Sequence, residues 1–443
     1  MREKFYLIFS AIILGVLGYF MTGAMFLFLV FGVILYAIYR NTPLEDRKFV
    51  IGVLIAGFTL RVILAVALHA YFYTKGFHST SGDDLLYIVK SLALVHKWEG
   101  RPYTWVWAIT GKSFQYGSNP FTYLVALFYK IFGFHPVVSK LINCIIGTLV
   151  GWLSYLIAKK TFNNSAARIA MLVTVFYPSL VRWSVANLKD PLLIFLFTAC
   201  IYLFIDAIYG RVSVWKMIIL VGAMTTLYFF SQIFYFTLIV LGATMMLVFK
   251  IYAALCSKIQ KGIFTTLMVL AVIILVGYML FVKYDKIIDA IYLCYDTQIA
   301  ISQSDFAGYQ FYPGEFMVKL SRGVIDVPQL IMIMAVDIIY FMLSPFPWQM
   351  ISRSRIFAFP QMLLWYMVLL LSILGYFRLL LKKPDVAVLV GMLLVIGIGV
   401  NSMAEGNIGS AFRHRDLYSP LFIVLASAIL DEFIRTKELK LEG

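Results

Sequence analysis

The chain has 443 residues, of which 62% are hydrophobic and only 13% are charged, and its mean hydropathy is +0.90. Soluble domains carry about 25% charged residues, so this composition excludes a soluble globular protein. The net charge of +15 is dispersed between apolar runs. That dispersion excludes a nucleic-acid-binding protein and indicates cations that set membrane topology and contact lipid headgroups.

Long unbroken apolar runs indicate helices that cross a membrane. A transmembrane helix needs about 20 apolar residues, whereas a transmembrane barrel shows alternating segments of about 10. The runs therefore predict an all-α polytopic bundle of about 12 spans. It is treated as one membrane domain because no internal repeat is evident. The 4 cysteines lack CxxC spacing and support neither a zinc site nor a disulfide framework.

The predicted elements follow in chain order. The chain starts with Met1-Arg2-Glu3-Lys4 before an apolar run, which we expect to be a retained first span. The early and middle spans are predicted at 5–22, 24–39, 49–73, 137–158, 166–182, 190–208, 214–230, 232–250 and 262–283. The first two spans form an extra N-terminal hairpin at 1–48. We also predict a first outer loop at 74–135, a second outer loop at 284–330 and a re-entrant or interfacial segment at 331–348.

Basic residues set the predicted orientation. Arg40, Arg47 and Lys48 surround the loop after the N-terminal hairpin, and positive charge collects on the cytoplasmic side. Both termini are therefore predicted to be cytoplasmic in the plasma (inner) membrane. Arg61 lies within the next span and either faces the bundle interior or reaches the membrane surface by snorkelling.

Two adjacent carboxylates, Asp83 and Asp84, begin the first amphipathic segment of the outer loop. The segments 84–96 and 119–132 each have one apolar face, which predicts helices lying in the membrane interface. Because acids favour the first turn of a helix, helix capping is the alternative to a functional role for the pair.

A second polar motif, Lys189-Asp190-Pro191, comes just before a predicted span. Asp before Pro is a common helix start, so capping is again the alternative. The predicted topology places the motif on the outer face, as it does the first acidic pair.

The last outer loop carries Arg413-His414-Arg415. Its outer location depends on the segment 331–348 not crossing the membrane, since Lys382-Lys383 and the C-terminal basic residues then stay cytoplasmic. Asp337 within that segment favours the same topology. Contact with lipid headgroups is the alternative role of the basic triplet.

Acids and bases gathered on one outer face are suited to group transfer from a phosphate. A carboxylate can take the proton of an acceptor hydroxyl or hold a divalent ion, and Arg and Lys can bind the departing phosphate. Since the outer face has no nucleotide pool, a lipid-linked phosphate is the expected donor.

These features together resemble the GT-C superfamily, polytopic glycosyltransferases that use polyprenyl-phosphate-linked sugars and include protein mannosyltransferases and aminoarabinose transferases. The resemblance is carried by Gly82-Asp83-Asp84, by the interfacial helices after it and by Asn187-Leu188-Lys189-Asp190-Pro191. The segment from Ala167 to Ser179 and a basic Arg-x-Arg near the last span add to it. The acidic pair is Asp-Asp where Asp-Glu is common in the family.

The resemblance implies specific roles. Asp83 would be the catalytic base on the acceptor hydroxyl, assisted by Asp84, and the transfer would invert the anomeric centre. Asp190 would orient the acceptor or, with Asp83, bind a metal such as Mg²⁺ or Mn²⁺. The donor phosphate would be bound by Lys189, Arg413, His414 and Arg415. The acceptor would be a glycan, a lipid or a protein.

Two other functions remain open from the sequence. A polysaccharide polymerase or ligase acting on lipid-diphosphate-linked glycans would also use outer-face arginines and a long outer loop. A lipid or glycolipid flippase would place polar residues near mid-membrane and show repeats, which are not evident here.

Overall fold

The structure, a computed structural model, is all-α. It describes residues 22–74, 82–103, 120–209, 213–231, 327–350 and 358–442, together with residues 242, 293–296 and 298. The regular elements of these residues are helices, which confirms the predicted fold class. The predicted spans at 5–22, 232–250 and 262–283, and most of the 284–330 loop, lie outside the described residues.

The helices follow the predicted apolar runs closely. Those of the first half are α1 Thr22–Asn41, α2 Leu44–Tyr73, α3 Gly82–Trp98, α4 Pro120–Phe132, α5 Pro136–Thr161, α6 Asn164–Phe176, α7 Pro178–Ser184, α8 Asp190–Tyr209 and α9 Val214–Ser231. Those of the second half are α10 Val327–Leu343, α11 Phe359–Lys382, α12 Pro384–Ala404, α13 Ile408–His414 and α14 Ser419–Glu442.

Six of the described helices are long and apolar enough to cross a membrane, or eight if each bent pair forms one span. The six are α1, α2, α5, α8, α11 and α12. Helices α3 and α4 match the two predicted interfacial helices within two residues at each end. The chain is therefore a multi-pass membrane protein.

One predicted span, 166–182, is broken. Helices α6 and α7 meet at an angle of 51°, and Tyr177 between them has extended backbone angles. Pro178 explains the break, because proline lacks an N–H and disfavours helical angles in the residue before it. The break turns α7 toward the loop that precedes α8.

The described chain divides into two compact units. The first contains residues 1–159, 163–200 and 217–236, and the second contains 160–162, 201–216 and 237–443. In the first unit α3 packs on α4, and α2 packs on α1 and α6. In the second, α11 packs on α14 and α12, and α10 packs on α12 and α13.

Arg61 lies inside the first unit. Its side chain is fully buried, its Nε donates to Ser184 Oγ at 2.9 Å, and its Nη1 donates to Gly57 O at 3.1 Å. A Cβ on Gly147 would lie 2.5 Å from Ser184 Cβ, so a glycine is needed for this approach. The guanidinium therefore faces the bundle interior, which was one of the two alternatives, and ties α2 to the end of α7.

Candidate active site

The acidic pair opens α3, and its two carboxylates have different surroundings. Asp83 is exposed, whereas Asp84 has no exposed area. Successive helical residues point about 100° apart around the axis, so one acid can face outward while its neighbour faces the bundle. Only Asp83 is open to a substrate at the surface of the unit.

Asp84 is held by a buried lysine and a backbone amide. Lys140 Nζ lies 3.2 Å from Asp84 Oδ2, and both side chains are excluded from solvent. The Asn187 N–H donates to Asp84 Oδ1 at 3.0 Å. Two charges can remain in such an environment only as a pair, because removing one partner costs about 3–5 kcal/mol. The two polar motifs, at 83–84 and 187–190, therefore meet directly.

Polar side chains at the start of α5 support this contact. Ser139, Lys140 and Asn143 lie on one helix face at the spacing of successive turns. Asn143 Nδ2 donates to Ala186 O at 2.7 Å and to Leu188 O at 2.8 Å. The loop between α7 and α8 is thus fixed on both sides of the amide that binds Asp84.

Further hydrogen bonds join α4 to the loop between α7 and α8. Ser139 Oγ donates to Asn187 Oδ1 at 2.9 Å and lies 3.0 Å from Tyr129 OH. Because Ser139 has a single O–H, Tyr129 is the donor in the second contact. Burial raises the pKa of Tyr129 above its usual range, so this hydroxyl keeps its proton. The pair extends the support of Asp84 to helix α4.

The predicted residues Lys189 and Asp190 lie at the start of α8. Asp190 occupies the first turn, as its position before Pro191 predicts, and is 5% exposed. Its charge stabilises the helix dipole. Lys189 is half-buried. Their roles toward acceptor, metal and phosphate stay predictions.

In the second unit, His414 is oriented by a carboxylate. Its Nδ1 contacts Glu405 Oε1, and Ser410 Oγ donates to Glu405 Oε2. Asn407 caps α13 through its Oδ1, which accepts from Gly409 N at 2.6 Å. The His414 side chain remains 37% exposed, against 9% for Glu405. The imidazole is therefore fixed in direction but accessible.

Arg415 lies inside the second unit. Its Nη1 donates to Met342 O at 2.9 Å and to Ser344 O at 2.7 Å, and its guanidinium stacks on the Trp365 ring at 4.8 Å. The last carbonyls of a helix lack intrahelical partners, and a basic side chain can satisfy them. Arg415 thus caps the end of α10. A phosphate would have to replace these bonds, so that Arg415 binds phosphate stays a prediction. Arg413, in the last turn of α13, is half-buried.

Two groups of the structure were missed by sequence reasoning. Lys140 received no role, although a lysine in an apolar span is costly and usually marks a specific partner. Asp337 also forms a buried cluster of its own. Its carboxylate accepts from Gln298 Nε2 at 3.0 Å and from Tyr295 OH at 3.1 Å, and Gln298 also donates to Glu405 O at 2.6 Å. An acid within an apolar helix usually has a polar partner, so Asp337 could have indicated this cluster from the sequence.

The residues around Asp84 do not fit a divalent cation. Across the described ranges, no three His, Cys, Asp or Glu side chains come together closely enough to bind a metal. The Lys140 ammonium also lies 3.2 Å from Asp84 Oδ2 and would repel a second cation.

Comparison with known protein families indicates the class of enzyme. Residues 120–289 match the family described as dolichyl-phosphate-mannose-protein mannosyltransferase, which is a domain of the GT-C superfamily. The matched segment begins with α4 and contains Lys140 and the loop that binds Asp84. No curated protein and no solved structure gives a significant match. The match indicates a polytopic membrane glycosyltransferase of the GT-C type, as the resemblance of the polar motifs implied.

Proposed function

We propose that the chain transfers a sugar from a polyprenyl-phosphate-linked donor to a hydroxyl group of a glycan, lipid or protein at the outer face of the plasma membrane. The matched family, by its description, takes mannose from dolichyl phosphate to protein, which supports this class of donor. The observation that carries the proposal is the 3.0 Å bond from Asn187 N to Asp84 Oδ1, because it joins both acidic motifs in one site.

In the proposed reaction Asp83 is the general base. Its exposed carboxylate takes the proton of the acceptor hydroxyl, and the resulting oxygen nucleophile attacks the anomeric carbon. The bond from that carbon to the phosphate oxygen breaks, and polyprenyl phosphate leaves with the bonding electrons. A single displacement of this kind inverts the anomeric centre. Proton transfer to a positioned side chain contributes about 10²- to 10⁴-fold to a rate.

Asp84 is the positioning residue for this base. Its salt bridge to Lys140 and its bond from Asn187 lock the first turn of α3 against α5 and the α7–α8 loop. Asp83, the preceding residue, is then presented outward from a rigid support. Fixing a base to within about 1 Å matters because misplacement by that distance can cost about 100-fold in rate.

For the leaving group we propose Lys189, Arg413 and His414 as phosphate-binding residues. Arg413 and His414 retain exposed surface, and Glu405 aims the His414 ring. Arg415 supports them by capping α10 from within the second unit. Asp190 is assigned to orienting the acceptor, with its carboxylate held at the first turn of α8.

The outer-face assignment is supported by the distribution of basic residues. Arg40, Arg47 and Lys48 lie near the ends of α1 and α2 that the loop joins, and Lys382-Lys383 lie at the junction of α11 and α12. Positive charge of this kind favours the cytoplasmic side. Residues 83–84, 187–190 and 405–415 lie next to the span ends that are predicted to be opposite to these basic residues.

A donor-exchange assay tests the proposal. The full chain in vesicles is supplied with a polyprenyl-phosphate-linked sugar and an acceptor glycan, and product and released polyprenyl phosphate are quantified. We expect product with the inverted anomeric configuration, read by NMR. Turnover only with a polyprenyl-diphosphate-linked glycan would instead identify a polymerase or ligase. Lipid translocation without bond cleavage would identify a flippase.

A further inference from the structure

An apolar groove lies in the second unit between α10, α11, α12 and α14. Its volume is about 450 Å³, which lies in the range of about 300–1,000 Å³ typical of ligand sites. The walls include Met342, Ile373, Phe377, Leu394, Val395 and Phe422. Val395 is 73% exposed and Phe377 is 58% exposed, so the groove opens to the side of the bundle, toward the lipid.

The groove lies along the middle of α12, from Gly391 to Ile398, and is also lined by Met342 near the end of α10 and Phe422 near the start of α14. Helix α12 has 21 residues between Lys383 and Glu405, which corresponds to a length of about 30 Å. The Lys382-Lys383 turn therefore lies at the membrane face opposite to the 405–415 segment. Gly391, in the groove wall, is about 10 Å along α12 from that turn.

Lysines cluster at this end of the second unit. Lys160 and Lys216 both pair with Asp206, yet keep 33% and 44% of their side chains exposed. Lys383 Nζ donates to Lys160 O, and Lys382 is exposed.

Positive charge exceeds negative charge in this cluster. Its acids are Asp206 and Asp385, and Asp385 accepts from Tyr209 OH. The cluster thus contains four lysines and two aspartates.

We propose that the groove and these lysines form a binding site for an anionic glycerophospholipid. An acyl chain occupies the groove, and the phosphate lies at Lys382 and the neighbouring ammonium groups. The apolar groove matches the acyl chain of such a lipid, and the lysines at the end of the helices match its phosphate. Excess Lys near a membrane surface attracts anionic headgroups. By the positive-inside rule this is the cytoplasmic leaflet. The site shares no residue with the proposed donor phosphate site, and the proposal does not depend on the transfer reaction.

Native mass spectrometry of the full chain in detergent tests the headgroup. Phosphatidylglycerol and phosphatidylcholine of equal chain length are titrated separately, with no donor present. We expect phosphatidylglycerol to bind more tightly, and Lys382→Gln to reduce that preference about fivefold. Lys48→Gln, which changes an exposed lysine of the first unit, is the matched control and should leave the preference unchanged. Equal binding of both lipids, or equal behaviour of the two variants, overturns the proposal.

Groove-filling variants test the acyl chain. Val395→Trp and Ile373→Trp place bulk in the groove and should lower binding of both lipids severalfold. Leu370→Trp, at a residue of α11 that is 67% exposed and outside the groove, is the control. Unchanged binding by both groove variants contradicts the assignment. Displacement of phosphatidylglycerol by polyprenyl phosphate, one for one, would assign the groove to the donor instead and also overturns the proposal.

Discussion

The Asp84–Lys140 pair of the first unit and the Glu405–His414 pair of the second unit differ in their access to water. Asp84 and Lys140 have no exposed side-chain area, whereas His414 is 37% exposed beside Glu405. A fully buried pair cannot exchange its partners without a large loss of free energy. A half-exposed pair can admit a phosphate at modest cost. The burial of the first pair suits a supporting role, and the exposure of the second suits the phosphate contact proposed for His414.

The same division appears within each doublet of charged residues. Asp83 is exposed and Asp84 is buried, and Arg413 is half-buried while Arg415 is 1% exposed. In both doublets one residue has an interior role and the other keeps accessible surface. In each case two like charges that are close in the sequence differ in their burial.

The largest expected effect is on the buried pair. Lys140→Met leaves the Asp84 carboxylate buried without its cation, and should lower the free energy of unfolding by about 3–5 kcal/mol. The double variant Lys140→Met with Asp84→Asn removes both charges and should recover much of that loss. Unfolding in detergent measures both, and Lys48→Met is the exposed-lysine control. If Lys140→Met unfolds at the same temperature as that control, the buried pair contributes nothing.

A smaller effect is expected at the loop support. Asn143→Ala removes the side-chain donor to Leu188 O and one of the two donors to Ala186 O, which still accepts from Leu188 N. Leaving the Leu188 carbonyl without that partner should cost about 1–3 kcal/mol. Turnover should fall as well, since these bonds hold the segment that positions Asp84. The control is Asn41→Ala, an exposed asparagine bonded within its own helix end. If the two variants have equal stability and turnover, the hydrogen bonds of Asn143 do not support the segment that positions Asp84.

The smallest effect separates the two arginines. Arg413→Gln should raise the KM for donor about five- to tenfold with an unchanged melting temperature. Arg415→Gln should instead lower the melting temperature, because Met342 O and Ser344 O lose their charged donor. Titration of the donor together with thermal unfolding distinguishes these outcomes. The reverse pattern would exchange the roles assigned to the two residues.

Much of the fold follows from local sequence. Apolar run length predicted the helices, Asp190-Pro191 predicted the start of α8, and one-sided apolar patterns predicted α3 and α4. The bend at Pro178 lies where the sequence has a proline inside a run. These features depend on neighbouring residues alone, so a single chain is enough to find them.

The pairing of charges could not be predicted in the same way. Lys140 and Asp84 are far apart in the sequence, and nothing in either segment specifies the other as its partner. The sequence likewise does not reveal that the end of α10 is capped by Arg415. Burial decides these roles, and burial depends on how helices pack rather than on their periodicity.

Comparing turnover and melting temperature of Asp83→Asn and Asp84→Asn, in one preparation with a polyprenyl-phosphate-linked sugar, tests the central claim most directly. We expect Asp83→Asn to lose about 10²- to 10⁴-fold in turnover while melting as the unmodified protein does. Asp84→Asn should melt at a lower temperature, because Lys140 is then buried without a counter-charge. Near-normal turnover of Asp83→Asn would contradict the claim that this carboxylate is the base.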